Sequence, residues 1–294
     1  MAHRDGAKQL MLACLGDLVD DVIVRQRAAA FSFAADTESS VARRRGGSAA
    51  NVVATAQRIG TATRLLATAG VDRVGDGLVD DLQRRGVDMR FVQRRGRTGT
   101  VIALVDQTGE RSMLTDRGSA ADFRPPPPAV LNGTRALHIP LYSLIEPPLA
   151  SAATALAQVA HQRGMLVTVD ASSASLLDEM GRARVTSLLD ELDPLVVLAN
   201  TDEAQRIDAA PNYLVAKAGS GPTTITRNGH SVREVPAIAL VGVDDTTGAG
   251  DAFAAGMLAG LLATPDDLVG ACRRGHRTAA ALLVERGAGL PYER

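Results

Sequence analysis

The stretch Val243-Asp-Asp-Thr-Thr-Gly-Ala-Gly-Asp-Ala-Phe253 sets a glycine-rich turn and then a carboxylate at the head of an apolar run. From Ala252 onward Phe253, Met257, Leu258, Leu261 and Leu262 recur at helical spacing. This predicts a helix over 252–262, with Gly248, Ala249 and Gly250 at or just before its start. The first N–H groups of a helix lack intrahelical partners, small residues let an anion approach them closely, and the helix dipole adds about half a positive charge there. A phosphoryl group fits such a cradle. Asp251 beside it could take the proton of an incoming alcohol during in-line transfer. The alternative is a helix start whose aspartate only complements the dipole, and this turn alone does not decide between them.

Outward from that turn, strand-like apolar runs at 10–15, 64–69, 136–139, 166–169, 195–198 and 223–226 alternate with helical patterns at 48–59, 75–85, 149–163, 252–262 and 267–284. Such alternation predicts an α/β fold, a central mostly parallel sheet flanked by helices, and 294 residues could hold one large domain of this kind or two small ones. In open sheets of this kind ligands bind beyond the strand carboxyl ends, where Asp21, Asp170 and Asn200 fall. Two stretches, about 22–45 and 89–117, break the alternation with short β-like segments around the turn Asp106-Gln-Thr-Gly109. They are expected to form a small projecting β-sheet. Pro125–Pro128 marks the return to the main body as a stiff linker, and the residues before Lys8 are expected to lack fixed structure.

Composition removes several classes. The net charge of −1 gives no global attraction to nucleic acid or membrane, and the two cysteines, Cys14 and Cys272, form no metal-spaced pair. No signal peptide or apolar run of membrane length appears, which points to a cytoplasmic protein. Lysine occurs only at 8 and 217, so 30 of the 32 basic residues are arginine. Neither lysine sits in a P-loop or in a strand context like that of protein kinases, and no GxGxxG follows the first strand. A phosphate would therefore be met by backbone N–H groups, a divalent metal and arginines.

The segments Gly46-Gly-Ser-Ala-Ala-Asn51-Val-Val-Ala54 and Asp245-Thr-Thr-Gly-Ala-Gly-Asp251 resemble the two signatures of the ribokinase-like (PfkB) carbohydrate kinases. The likeness extends to Gly16-Asp-Leu-Val-Asp-Asp21, to Thr98-Gly-Thr through Gly109-Glu-Arg111, and to Arg117-Gly-Ser-Ala120, Asn200-Thr-Asp-Glu203 and Arg286-Gly-Ala288. It implies a kinase moving the γ-phosphoryl group of ATP to a primary hydroxyl of a sugar or nucleoside. Asp251 would be the base, and Gly248, Ala249 and Gly250 the anion hole. The chain would be a single kinase domain over 1–294, with the small sheet as a lid that also forms a homodimer surface.

For the remaining positions the residues and the resemblance are weighed together. Asp21 can accept two hydrogen bonds from vicinal hydroxyls, and the resemblance implies that role for it rather than for Asp20; an aspartate at a strand end is also a common turn former. Gly47 and Asn51 would touch the acceptor, although a glycine turn feeding a helix capped by Ser48 explains the same residues. Asn200 and Glu203 share a face, so Asn200 would serve the nucleotide and Glu203 would hold Mg2+ through water; a capping box is the competing explanation. Asp245 and the Thr247 carbonyl correspond to a site that takes K+ in ribokinase relatives. Thr226 and Gly229 stand where the family's adenine-binding turn is expected, in the atypical stretch Thr224-Ile-Thr-Arg-Asn-Gly229. Two other functions stay open: a phosphofructokinase-type sugar-phosphate kinase using Arg43-Arg-Arg45, although Ser48 stands where such relatives carry lysine, and a non-catalytic sugar- or nucleotide-sensing homologue.

Overall fold

The computed structural model describes residues 10–27, 34–107, 111–243 and 245–287. Expectations about the residues before Lys8, about Gly109 and Glu110, and about Ala288 lie outside the described residues. In chain order the strands are β1 (Met11–Leu15), β2 (Val19–Gln26), β3 (Ser39–Gly46), β4 (Ala62–Leu66), β5 (Thr68–Ala69), β6 (Gln93–Arg94), β7 (Thr98–Val105), β8 (Arg111–Gly118), β9 (Thr134–Pro140), β10 (Leu166–Asp170), β11 (Val196–Asn200), β12 (Tyr213–Lys217), β13 (Thr223–Arg227) and β14 (His230–Val235). The helices are α1 (Ser48–Arg58), α2 (Arg73–Arg84), α3 (Leu149–Gln162), α4 (Ala174–Met180), α5 (Arg182–Leu192), α6 (Thr201–Ala204), α7 (Ala249–Ala263) and α8 (Leu268–Glu285).

The central sheet has the order β14-β13-β12-β11-β10-β9-β1-β4. It is parallel from β4 to β12, and β13 and β14 add an antiparallel edge. Its inner strands are apolar without a break because both faces are covered. On β1, Leu12 and Cys14 join the core under α1, α2, α7 and α8, while Ala13 and Leu15 join the core under α3, α4 and α5. This is the α/β fold that the alternation predicts. Asp170, Asn200 and Lys217 are the last residues of adjacent parallel strands, so β10, β11 and β12 deliver three polar side chains to one edge.

The small sheet runs β3-β2-β7-β8. It starts at Val19 rather than near 22, so Asp21 stands inside a lid strand, paired with Arg44 and Val101. Nothing in it comes from 89–97, where β6 pairs with β5. Alternation along its strands turns Asp21, Val101, Met113 and Thr115 toward the main body, and Asp20, Arg43 and Leu114 away.

Helix α7 is buried on nearly every side, as expected of a helix apolar all round. Its seating against α8 depends on missing side chains: a Cβ at Gly256 would lie 2.7 Å from the Arg274 carbonyl oxygen, and one at Gly260 would lie 2.7 Å from the Ala271 Cα. Gly275 accepts the Phe253 ring equally closely, a Cβ there falling 2.9 Å from Phe253 Cδ2. The two helices are locked in register. Among the described residues no helix is long and apolar enough to cross a membrane.

Candidate active site

A cleft of about 920 Å³ lies between the carboxyl edge of the main sheet and the lid, with the start of α7 on its floor. Gly248 is the residue before the helix and has φ 76°, a left-handed conformation that favours glycine. Ala249, Gly250 and Asp251 are the first three helical residues, so the helix begins three positions earlier than its apolar spacing suggests. Gly250 borders open cleft, with only Lys217 Nζ near, 3.7 Å from where its Cβ would stand. Gly250 thus stands at a space that any side chain there would begin to fill, whereas the Ala249 N–H donates to the Thr246 carbonyl at 3.0 Å.

Asp251 is joined to the opposite helix start. Ser48 Oγ donates to its Oδ1 at 2.7 Å and Asn51 Nδ2 to its Oδ2 at 2.9 Å. Burial pushes the carboxyl up to about 6, against those two hydrogen bonds, which pull it down. A carboxylate tuned to that range holds a proton better than an exposed aspartate does and still ionises at neutral pH. Ser48 is therefore a partner of Asp251, and α1 has no side-chain cap.

Asp21 faces the same cleft, its carboxyl pushed up to about 6 by burial first and then by Asp20 and Asp251. Gly46 makes room for it: a Cβ there would lie 1.9 Å from Asp21 Oδ1. Gly47, at φ 94°, would drive a Cβ to 2.0 Å from the Asp17 carbonyl oxygen. Both glycines are thus required by close backbone and side-chain approach, whatever lies in the cleft. Asp17 itself is gripped by Arg117 through two bonds of 2.9 and 2.7 Å, so this wall carries one neutralised pair beside Asp21.

At the other end stand Asp170, Glu203 and Lys217. Lys217 Nζ donates to Asp170 Oδ2 at 3.2 Å. Burial would lower the ammonium's pKa, but Asp170 and Glu203 outweigh it and raise it. Asn200 and Glu203 form the capping box in full: Asn200 Oδ1 accepts from the Glu203 N–H at 2.8 Å, and the Glu203 carboxylate accepts from the Asn200 N–H at 2.7 Å and its amide at 2.8 Å. The box holds Glu203 in place without excluding a further role, since each carboxylate oxygen keeps a second lone pair. Here Asp170, Glu203 and Asp251 all act on the single lysine, and among the described residues no three acidic, histidine or cysteine side chains are grouped so as to hold a metal ion by themselves.

A family profile described as pfkB family carbohydrate kinase matches residues 9–294. The chain belongs to that family. It is a phosphotransferase with an alcohol group as acceptor, a sugar or nucleoside kinase of the PfkB family. It is 30% identical over 278 residues to a fructokinase of Klebsiella pneumoniae, covering 86% of each chain. It is 30% identical over 241 residues to an ATP-dependent ribose-1-phosphate kinase of Halopiger xanaduensis, covering 79% of each. In fold it is similar to the adenosine kinase of Sinorhizobium meliloti, with a TM-score of 0.81 at 21% identity over 94% of both chains.

Three sequence expectations for this kinase meet a different geometry. Thr226 lies within β13, opposite Leu214 and Ser231, and Gly229 sits in the β13–β14 turn; neither lines the cleft. Gly219 and Ser220, in the turn after β12, line it instead. Asp245 does not offer a cation site, because Thr247 and four arginines surround its carboxylate and Arg286 donates to the Thr247 carbonyl. A K+ ion there would face guanidinium groups from several sides, so the residues do not fit it. Arg43 and Arg45 are taken by Asp20 and Asp81, each at 2.8 Å, and neither lines the cleft.

Sequence reasoning missed Lys217, set aside there because it follows no P-loop. The short run Tyr213-Leu-Val215 leading into Lys217-Ala-Gly219-Ser-Gly221 is the signal that would have found it: a strand, then a glycine turn. Of the expected residues, Asp21, Gly47, Asn51, Asn200, Glu203, Gly248, Ala249, Gly250 and Asp251 all line this one cleft.

Proposed function

We propose that this kinase transfers the γ-phosphoryl group of ATP to a primary hydroxyl of a free sugar or nucleoside. Asp251 acts as general base, and the N–H groups of Gly248 and Gly250, joined by that of Ala249 once it leaves the Thr246 carbonyl, take up the charge of the migrating group. The observation that carries this reading is Asp251 itself, held by Ser48 and Asn51 at 2.7 and 2.9 Å on the floor of the cleft, one residue beyond Gly250 in the first turn of α7. Asp21, Gly47 and Asn51 orient the acceptor on the lid side. The ammonium of Lys217 meets the terminal phosphates from the side of Gly250 and takes part of their charge. Glu203, with Asp170 beside it, would hold Mg2+ through water, and Asn200 keeps that carboxylate oriented. When bound, the ion neutralises charge on the β- and γ-phosphates. Nucleotide contacts from Gly219 and Ser220 replace those expected from Thr226 and Gly229.

A free acceptor is favoured over a sugar phosphate because Arg43 and Arg45 are committed to carboxylates outside the cleft. The outward face of the lid, with Val41 63% and Leu114 57% exposed, supports a homodimer through that sheet. Sedimentation of a variant with glutamate at both positions is expected to give a monomer where the parent is a dimer. The two buried thiols, Cys14 and Cys272, accord with a reducing cytoplasm.

The deciding experiment is ADP release across ribose, fructose, ketogluconate-type acids, adenosine and other nucleosides, each beside its phosphorylated form where one exists. Turnover with a free acceptor supports the reading. Turnover confined to phosphorylated acceptors overturns it.

A further inference from the structure

The loop that leads into the anion cradle is held by a cluster that the proposed chemistry does not use. Asp245 accepts from the Thr247 N–H at 2.9 Å and from its hydroxyl, from Arg111 Nη2 at 2.6 Å and from Arg25 Nη2 at 3.4 Å. Arg44 and Arg286 complete the shell, each 3.9 Å from Oδ2. Arg286, just past α8, also donates to the Thr247 carbonyl, so both backbone groups of the residue before Gly248 are engaged. Arg25, Arg44 and Arg111 come from β2, β3 and β8 of the lid. The carboxylate is only 18% exposed, and several charge-assisted bonds converge on it, which distinguishes it from an isolated surface pair.

We propose that Asp245 and its guanidinium shell position the anion cradle, and that the cradle reaches its working geometry only when the lid lies over the cleft and brings Arg25, Arg44 and Arg111 to that carboxylate. The guanidinium groups occupy the place a monovalent cation would need, so the kinase works without one. The proposal rests on the kinase reading for its catalytic consequence but not for its structural one. Thr247 and Gly248 set where the first α7 amides point, and they are fixed from the core by Arg286 and from the lid by Arg111 and Arg25. Without the three arginines of the small sheet, Asp245 would keep only Arg286 and Thr247. These arginines are positioning residues; none lines the cleft.

The test pairs kinetics with amide hydrogen exchange of the peptide spanning 246–251, in wild type, Arg111→Met, Arg111→Lys and Arg286→Met. Wild-type turnover is expected to agree within about twofold in choline, sodium and potassium chloride. Arg286→Met and Arg111→Met are each expected to lower kcat by about tenfold with the acceptor KM changed by less than about threefold, and Arg111→Lys to fall between. The 246–251 amides of both methionine variants should exchange about tenfold faster without any substrate, and millimolar guanidinium should recover part of kcat for Arg286→Met. Wild-type exchange rates in both methionine variants would overturn the proposal, as would a wild type stimulated strongly by potassium over choline. Because exchange needs no acceptor, a wild type with no turnover would strike the kinase reading alone and leave the positioning claim to be judged by exchange.

Discussion

Replacing Asp251 by asparagine should impair the enzyme and stabilise the fold at once. The carboxyl is raised from 3.8 to about 6, chiefly by burial, so ionising it in the folded protein costs about 3 kcal/mol more than in the unfolded chain, at 1.4 kcal/mol per pKa unit. The cleft admits water, so about 1–3 kcal/mol is the expected range. The sign follows from linkage: the folded state binds the proton more tightly, so wild-type stability from this group is fully present below pH 4 and is lost as pH rises through about 6. The substituted amide never ionises. Its carbonyl can accept from Ser48, and a flipped Asn51 amide can accept from its NH₂, so the contacts are kept. Calorimetry of the free protein from pH 4 to 8 should show the variant melting higher at pH 7 and above, by about 2–4 °C per kcal/mol, with the gap closing toward pH 4. In the same samples kcat should fall by about 10²–10⁴. A variant that melts at or below wild type at pH 7, or a gap that does not narrow on acidification, would refute the assignment of Asp251 as a buried, strained base.

The acceptor kcat/KM is expected to rise with pH through about 6, because Asp251 must be ionised to take a proton and Asp21, also near 6, must be ionised to accept from hydroxyls; a profile flat down to pH 5 would contradict both shifts. Gly46→Ala is expected to raise the acceptor KM by about tenfold or more with the ATP KM unchanged, since the new Cβ falls 1.9 Å from Asp21 Oδ1. Gly47→Ala, strained at φ 94° against the Asp17 carbonyl, should instead cost about 3 kcal/mol or more of stability, seen as a lost or lowered melting transition. Lys217→Met should weaken ATP binding by about 10–100-fold in calorimetry while leaving acceptor binding within about twofold; equal loss of both would reduce Lys217 to a structural partner of Asp170.

The α/β class was legible because five helices and the buried strands carry strong periodicity, and helix starts at Ser48 and near Gly248 are marked by glycines. The strand ends that carry Asp170 and Asn200 were read for the same reason. Local pattern could not reveal that β2 already belongs to the lid at Val19, because Asp20 and Asp21 interrupt its apolar alternation. Nor did it separate the turn after Lys217 from the turn at Asn228-Gly229, since both are glycine turns flanking the antiparallel strand β13. Motif spacing chose the hairpin tip, whereas the sheet order brings the earlier turn to the cleft. The shell of Asp245 had no local signal at all: Arg25 and Asp245 are 220 positions apart, and only the packing of lid on core brings them together. The same holds for Ser48 and Asp251, separated by 203 positions.

The bare seam between α7 and α8 reaches further than its location suggests. Gly260 is nine residues along α7 from Asp251, about 13 Å at 1.5 Å per residue, yet a methyl group added there would strike the Ala271 backbone at 2.7 Å. A rod pinned that tightly at its far end has no slack with which to absorb a push, so a substitution at that end would be felt as a displaced Asp251 carboxylate at the other. The far end of α7, outside the cleft lining, is under nearly as narrow a tolerance as the cleft itself.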